Sequence, residues 1–145
     1  MKISTRGRYA VVVMIDLAKQ NSNELINAKD IAARSGISAK CLEKILTILS
    51  KSGYVYATRG KNGGYRLAKP SAEYTVGDIL RALEDSLEPV SGLVYEMETL
   101  SDTNKIENLP LWKGLYDAIK YYIDGITLED LAKNEQKLET YNYSI

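Results

Sequence analysis

The sequence predicts a mainly α-helical fold carrying one small β-hairpin. Three observations predict it. Between Asn27 and Lys51 two short amphipathic helices are separated by a tight turn at Gly36. A basic, glycine-rich hairpin over Tyr54–Leu67 follows directly. Near the C-terminus one long helix carries two apolar stripes, where a core of this size needs one. Together these spell a winged helix-turn-helix followed by a C-terminal dimerisation helix.

Taken in order, Ser4 or Thr5 caps a first helix running to about Gln20. Its run Ala10–Ile15, then Leu17 and Ala18, is apolar nearly all round, which predicts the buried helix of the domain. Lys2, Arg6 and Arg8 cluster at its start, where they and the helix N-terminus together suit a phosphate. Asn21–Asn23 reads as a loop, and Leu25-Ile26 as a short strand added to the wing. Asn27 is the N-cap of the second helix, with Ile31 and Ala32 inward, an end near Ser35 and Gly36 closing it. Ser38 caps the third. Leu42, Ile45, Leu46 and Leu49 fall at i, i+3, i+4, i+7 and form its inner stripe. Ala39, Lys40, Glu43, Lys44, Thr47 and Lys51 form its outer face, and Gly53 ends it.

Tyr54–Thr58 has the β-branched and aromatic content of a strand, and Tyr65–Leu67 returns beside it. The intervening Arg59–Gly64 holds three glycines in six residues and two cations, a hairpin turn that here becomes a wing. A turn follows over Lys69–Tyr74. Thr75 to Asp78 then resembles a capping box and opens a helix from Val76 to about Leu83. Residues 86–108 read as a loop with one helical turn. The long helix starts at about Asn108, tolerates Pro110 in its first turn and ends at Asp124 before Gly125. Leu111, Leu115, Ala118 and Tyr122 form one of its stripes; Trp112, Tyr116, Ile119 and Ile123 form the other. The pair predicts packing on the chain itself and on a second copy, with Leu111, Trp112, Leu115, Ile119, Tyr122 and Ile123 as interface candidates. Thr127–Asp130 caps a last short helix, and the tail ends Tyr141-Asn142-Tyr143-Ser144-Ile145. The expected organisation is 1–85 for the winged helix, 86–108 for the loop, and 109–145 for the dimerisation helix and tail.

The formal net charge is zero over 145 residues, which by itself argues against nucleic acid. Divided at Leu67 the balance separates: 12 Lys+Arg against 4 Asp+Glu before it, 7 against 15 after it. A basic half coincident with a DNA-binding motif fits a DNA-facing head joined to an acidic half with another task. No apolar run is long enough for a membrane span, and no signal peptide is expected. One cysteine, Cys41, excludes an internal disulfide and suits a reducing cytosol. Histidine is absent, which removes Ser-His-Asp and Cys-His nucleophile systems and most zinc sites. Gly60–Gly64 is no phosphate loop, because no Lys-Ser/Thr follows it.

Ser38, Lys40, Glu43 and Lys44 are therefore expected to face the major groove. Ser38 meets phosphate, the lysines reach phosphate or guanine, and Glu43 accepts from a cytosine amino group. For Glu43 a pairing with Thr47 or Lys40 is the alternative. Arg59 is expected in the minor groove and Lys61 on flanking phosphate. Two other readings stand beside this one: a winged-helix protein-interaction module that never touches DNA, and a thiol redox sensor using Cys41, which lies in the first turn of its helix.

Several of these residues also carry a resemblance. They are Met1-Lys2-Ile3-Ser4-Thr5-Arg6-Gly7-Arg8-Tyr9-Ala10, Leu42-Glu43, Arg59-Gly60 with Gly63-Gly64-Tyr65, and Gly77-Asp78-Ile79. In them the chain resembles the Rrf-type family of bacterial winged-helix transcription regulators, the IscR, NsrR and CymR type, over essentially its whole length. The resemblance implies a homodimer crossed at the long C-terminal helix and bound to a palindromic operator on double-stranded DNA. Many members hold an iron–sulfur cluster through three cysteines in the loop before that helix. Here the loop has none, so no cluster is expected. Leu111-Trp112, Thr127–Ala132 and the Tyr-x-Tyr-Ser-Ile ending look most like the cluster-free CymR-like branch, repressors of cysteine metabolism. That branch implies cysteine synthase as a partner, with Tyr143 and Ile145 as the residues that would meet it.

Overall fold

The computed structural model describes residues 2–20, 23–99 and 106–134. Helix α1 (Thr5–Gln20) begins at Ser4, whose Oγ accepts the Gly7 amide at 3.0 Å. Ala10, Val13 and Met14 are fully enclosed, but Val12 faces outward, so α1 is buried on one side rather than all round. Helix α2 (Ala28–Ser35) starts with Asn27 Oδ1 accepting the Asp30 amide at 2.8 Å and closes at Gly36, φ 74°. Arg34 at its end donates twice to Asp16 of α1, at 2.8 and 2.9 Å, which ties the two helices. Helix α3 (Ala39–Lys51) is capped by Ser38 and buries Leu42, Ile45, Leu46 and Leu49 against α1 and α2, as its periodicity requires. Each such side chain contributes about 1.5–3 kcal/mol by leaving water, so this stripe is the main anchor of the helix.

Strands β1 (Val55–Thr58) and β2 (Gly64–Leu67) pair antiparallel, Val55 opposite Leu67 and Thr58 opposite Gly64. Ile26 adds a third, single-residue bridge through two backbone bonds of 2.8 Å to Tyr65. The segment read as a plain turn, 69–74, holds the base of the wing. Tyr74 is enclosed, its hydroxyl donates to the Tyr54 carbonyl at 2.8 Å and accepts the Lys69 amide at 2.9 Å. Its ring meets Tyr54 edge to face, centroids 5.6 Å apart.

Helix α4 (Val76–Leu83) opens with a complete Thr75–Asp78 capping box. Among the described residues of the following loop only α5 (Leu93–Glu98) is regular, with Glu88 accepting the Gly92 and Val94 amides at its start. Helix α6 (Leu109–Asp124) docks at its C-terminal end, where Ile123 joins Leu80 and Leu87, with Ile3, Val11, Val76 and Ile119 around them. Beyond Gly125 the chain does not stay with α6. The Leu128 amide donates to the Tyr74 carbonyl, and the helix over 128–134 (α7) returns Leu128 to the main core. Thr127 and Asp130 form its capping pair.

Candidate nucleic-acid interface

On α3 the inner stripe leaves Ser38, Lys40, Glu43, Lys44 and Thr47 in water. Ser38 Oγ is already engaged, accepting the Cys41 amide at 3.2 Å, so its hydroxyl proton is what remains to donate to a phosphate. The alternatives for Glu43 are not realised as side-chain contacts. Thr47 Oγ1 donates to the Glu43 carbonyl rather than its carboxylate, at 2.8 Å, and among the described residues no ion pair joins Glu43 to Lys40. The carboxylate is left free to accept from an exposed base edge. Cys41 is half-buried against the core beside this face.

The wing tip is shaped by backbone. Gly60 holds φ 109°, and the Gly63 amide closes the turn on the Gly60 carbonyl at 3.0 Å. Arg59 and Lys61 stand exposed on it without a partner among the described residues. Arg66 does not share that state. Its guanidinium lies over the Tyr56 ring at 4.5 Å, opposite it in the register, an attraction sequence reading missed because only the pairing aligns the two.

The basic half thus divides into scaffold and free cations. Arg34 is spent on Asp16 and Arg66 on Tyr56, and Arg8 reaches Thr5 Oγ1 at 3.3 Å. Lys2, Arg6, Lys40, Lys44, Arg59 and Lys61 are exposed and without a side-chain partner among the described residues. Lys51, already placed on the outer face of α3, and Lys29 belong with them. At the N-terminus of α1, Glu84 Oε1 accepts both the Ser4 amide (2.8 Å) and the Ser4 hydroxyl (2.7 Å), a negative charge at the position expected to suit a phosphate.

The dimerisation candidates also separate. Leu111, Leu115 and Tyr122 are 60, 42 and 68 % exposed, whereas Ile123 is 9 % exposed. Ile123 clusters with the chain's own Leu80 and Leu87, and the half-buried Ile119 packs against that cluster, so within one chain they hold α6 to α4. Trp112 is half-buried and donates Nε1–H to the Glu107 carbonyl at 3.0 Å. Tyr143 and Ile145 lie outside the described residues. No helix among the described residues is long and apolar enough to cross a membrane.

The model of the Rrf2 family, described as an iron-dependent transcriptional regulator, matches residues 3–134. The transcriptional regulator CymR of Bacillus subtilis is 38 % identical over 146 residues, all of both chains. IscR of Cereibacter sphaeroides is 35 % identical, over 94 % of this chain and 90 % of its own. The solved structure of CymR, the global cysteine regulator of B. subtilis, superposes with TM-score 0.77 at 36 % identity, covering 92 % of this chain and 98 % of that one. These are DNA-binding regulators rather than enzymes. The iron–sulfur cluster of such families needs several thiolates. This chain has one cysteine, on α3, and no histidine, and the described residues hold no group of three metal-ligating side chains. The donor set does not fit a cluster. By sequence and fold alike, the chain belongs to the Rrf2 family of winged-helix transcription regulators.

Proposed function

We propose that the protein is a homodimeric, cytoplasmic repressor that binds a palindromic operator without an iron–sulfur cluster. The observation that carries the reading is the set of unpaired groups on the outer face of α3 and the wing tip. Among the described residues Lys40, Glu43, Lys44, Arg59 and Lys61 are left without intramolecular partners, while Arg34 and Arg66 nearby are consumed by the fold. An exposed charge costs nothing until it is desolvated, so such groups are available to phosphates and base edges. In this reading α3 enters the major groove, with Glu43 on a cytosine amino group, and Arg59 enters the adjacent minor groove. The exposed stripe Leu111, Leu115 and Tyr122 on α6 supplies the contact to a second copy.

In vitro selection from a random duplex pool tests this. It should recover a palindrome whose half-sites are spaced about one helical turn or a multiple apart, bound with a steep salt dependence. No enrichment, or binding indifferent to salt, would instead support a protein-interaction module. Control of cysteine metabolism, with cysteine synthase as partner, is the finer reading, and it rests on likeness to CymR. A genome-wide map of bound sites that contains no sulfur-assimilation promoter would reject it.

A further inference from the structure

We propose that Glu84 and Asp124 are positioning residues, two carboxylates docked in series that fix α6 to the DNA-facing head. The inference deepens the reading above, and its DNA arm rests on that reading.

In a capping box the third residue of a helix returns its carboxylate to the N-cap amide. Helix α4 does this with Asp78 and α7 with Asp130. Helix α1 has no such group, because its third residue is Gly7. Glu84, 80 positions away, takes the place: its Oε1 accepts the Ser4 amide and hydroxyl, and Ser4 Oγ in turn accepts the Gly7 amide. A Cβ on residue 7 would collide with that oxygen and come within 3.1 Å of Glu84 Cδ. The glycine is the space the remote carboxylate occupies.

The other end of α4 repeats the arrangement. Asp124 sits against Gly77 in the first turn of α4, where a Cβ would collide with Oδ1. Arg81 donates to Oδ2 at 2.7 Å. Both carboxylates stand at the wrong end of their own helices. Asp124 is the last residue of α6 and Glu84 the C-cap of α4, positions where the helix dipole disfavours negative charge. Each is instead at the favourable end of the next helix. The result is a chain from α6 through the eight-residue α4 to the first turn of α1, which bears Arg6 and Arg8. In a dimer joined at α6, this chain sets the placement of each head relative to its partner.

Amide hydrogen exchange of the full-length protein, followed by NMR without DNA, tests the coupling. Asp124→Ala should speed exchange of the Gly7 amide at least tenfold and leave the Gly36 amide, on α2, within twofold. Asp124→Asn retains an oxygen acceptor for Arg81 and should hold Gly7 within threefold of wild type. Should Asp124→Ala not fold, Arg81→Ala loosens the same dock from its exposed side, with the same expectation. An unchanged Gly7 rate, or equal acceleration at Gly7 and Gly36, overturns the serial coupling. On the duplex recovered by selection, wild type should lose at least tenfold in affinity when the half-site gap changes by one base pair, and Asp124→Ala less than threefold. Equal spacing penalties in the two proteins overturn the positioning role. A wild type that binds no duplex refutes the proposed function and leaves the exchange result to decide the coupling.

Discussion

Gly7→Ala is the most discriminating single change, because two effects of opposite sign meet there. In an unobstructed helix the substitution should stabilise by about 0.5–1 kcal/mol, through propensity and a smaller unfolded ensemble. Here the new methyl would overlap Glu84 Oε1, lie 3.1 Å from Glu84 Cδ and lie 3.3 Å from Ile3 Cγ2. Glu84 must withdraw, giving up hydrogen bonds to the Ser4 amide and hydroxyl. Bonds to a charged acceptor are worth roughly 1.5–3 kcal/mol each when enclosed; partial exposure brings the pair to roughly 2–3 kcal/mol in total. The propensity gain then leaves a net loss of about 1–2 kcal/mol, or roughly 3–6 °C in Tm for a chain of this length. Urea unfolding at fixed protein concentration should show a lower midpoint with the m-value unchanged. In a Glu84→Ala background the same substitution should be neutral or stabilising, because the obstruction is gone. If Gly7→Ala alone stabilises the wild type, Glu84 swings aside freely, and the account of Gly7 given above is wrong.

Wild-type protein should sediment at twice the chain mass, and Leu111→Glu with Leu115→Glu should give folded monomers, since both side chains are exposed on α6. A wild-type monomer at micromolar concentration would reject the interface. Ile119→Glu with Ile123→Glu should instead destabilise the fold itself, because Ile123 packs on Leu80 and Leu87; a folded monomer from that pair would reject the division of the stripes. Arg59→Ala should cost about 1–3 kcal/mol in operator binding and lower the salt slope by about one, whereas Lys61→Ala should weaken all duplexes alike. Unchanged operator affinity in Arg59→Ala would reduce the wing tip to a turn. Hydrogen bonding from Arg81 holds the Asp124 carboxyl below its ordinary range. The contribution of that dock is therefore complete above the unfolded carboxyl value, about 4, and is lost as pH falls through the lowered folded value. Acid unfolding should narrow the stability gap between wild type and Asp124→Asn; a gap constant down to pH 2 would refute it.

Local chemistry determined most of the head. The caps at Asn27, Gly36 and Ser38 each act on a group no more than four residues away, and the Leu42–Leu49 stripe steps by four or fewer, so caps, period and turn were legible without tertiary information. The Arg59–Gly64 wing was legible for the same reason, and so were the two stripes of α6. Which stripe faced inward was not, because both are apolar and only the position of Leu80 and Leu87 chooses between them. Periodicity reports that a face wants burial and says nothing of what will cover it. Tyr74 read as part of a turn for a similar reason: its role depends on Tyr54 and Lys69 being brought to its hydroxyl. The pairing of Arg66 with Tyr56 needed the strand register. Above all, Gly7 and Gly77 carried no sign in the sequence of the carboxylates they accommodate, 77 and 47 residues further on, since a glycine records only that a side chain is absent. Packing α4 between α1 and α6 is what brought Glu84 and Asp124 to those vacancies, through long-range burial that no local pattern encodes.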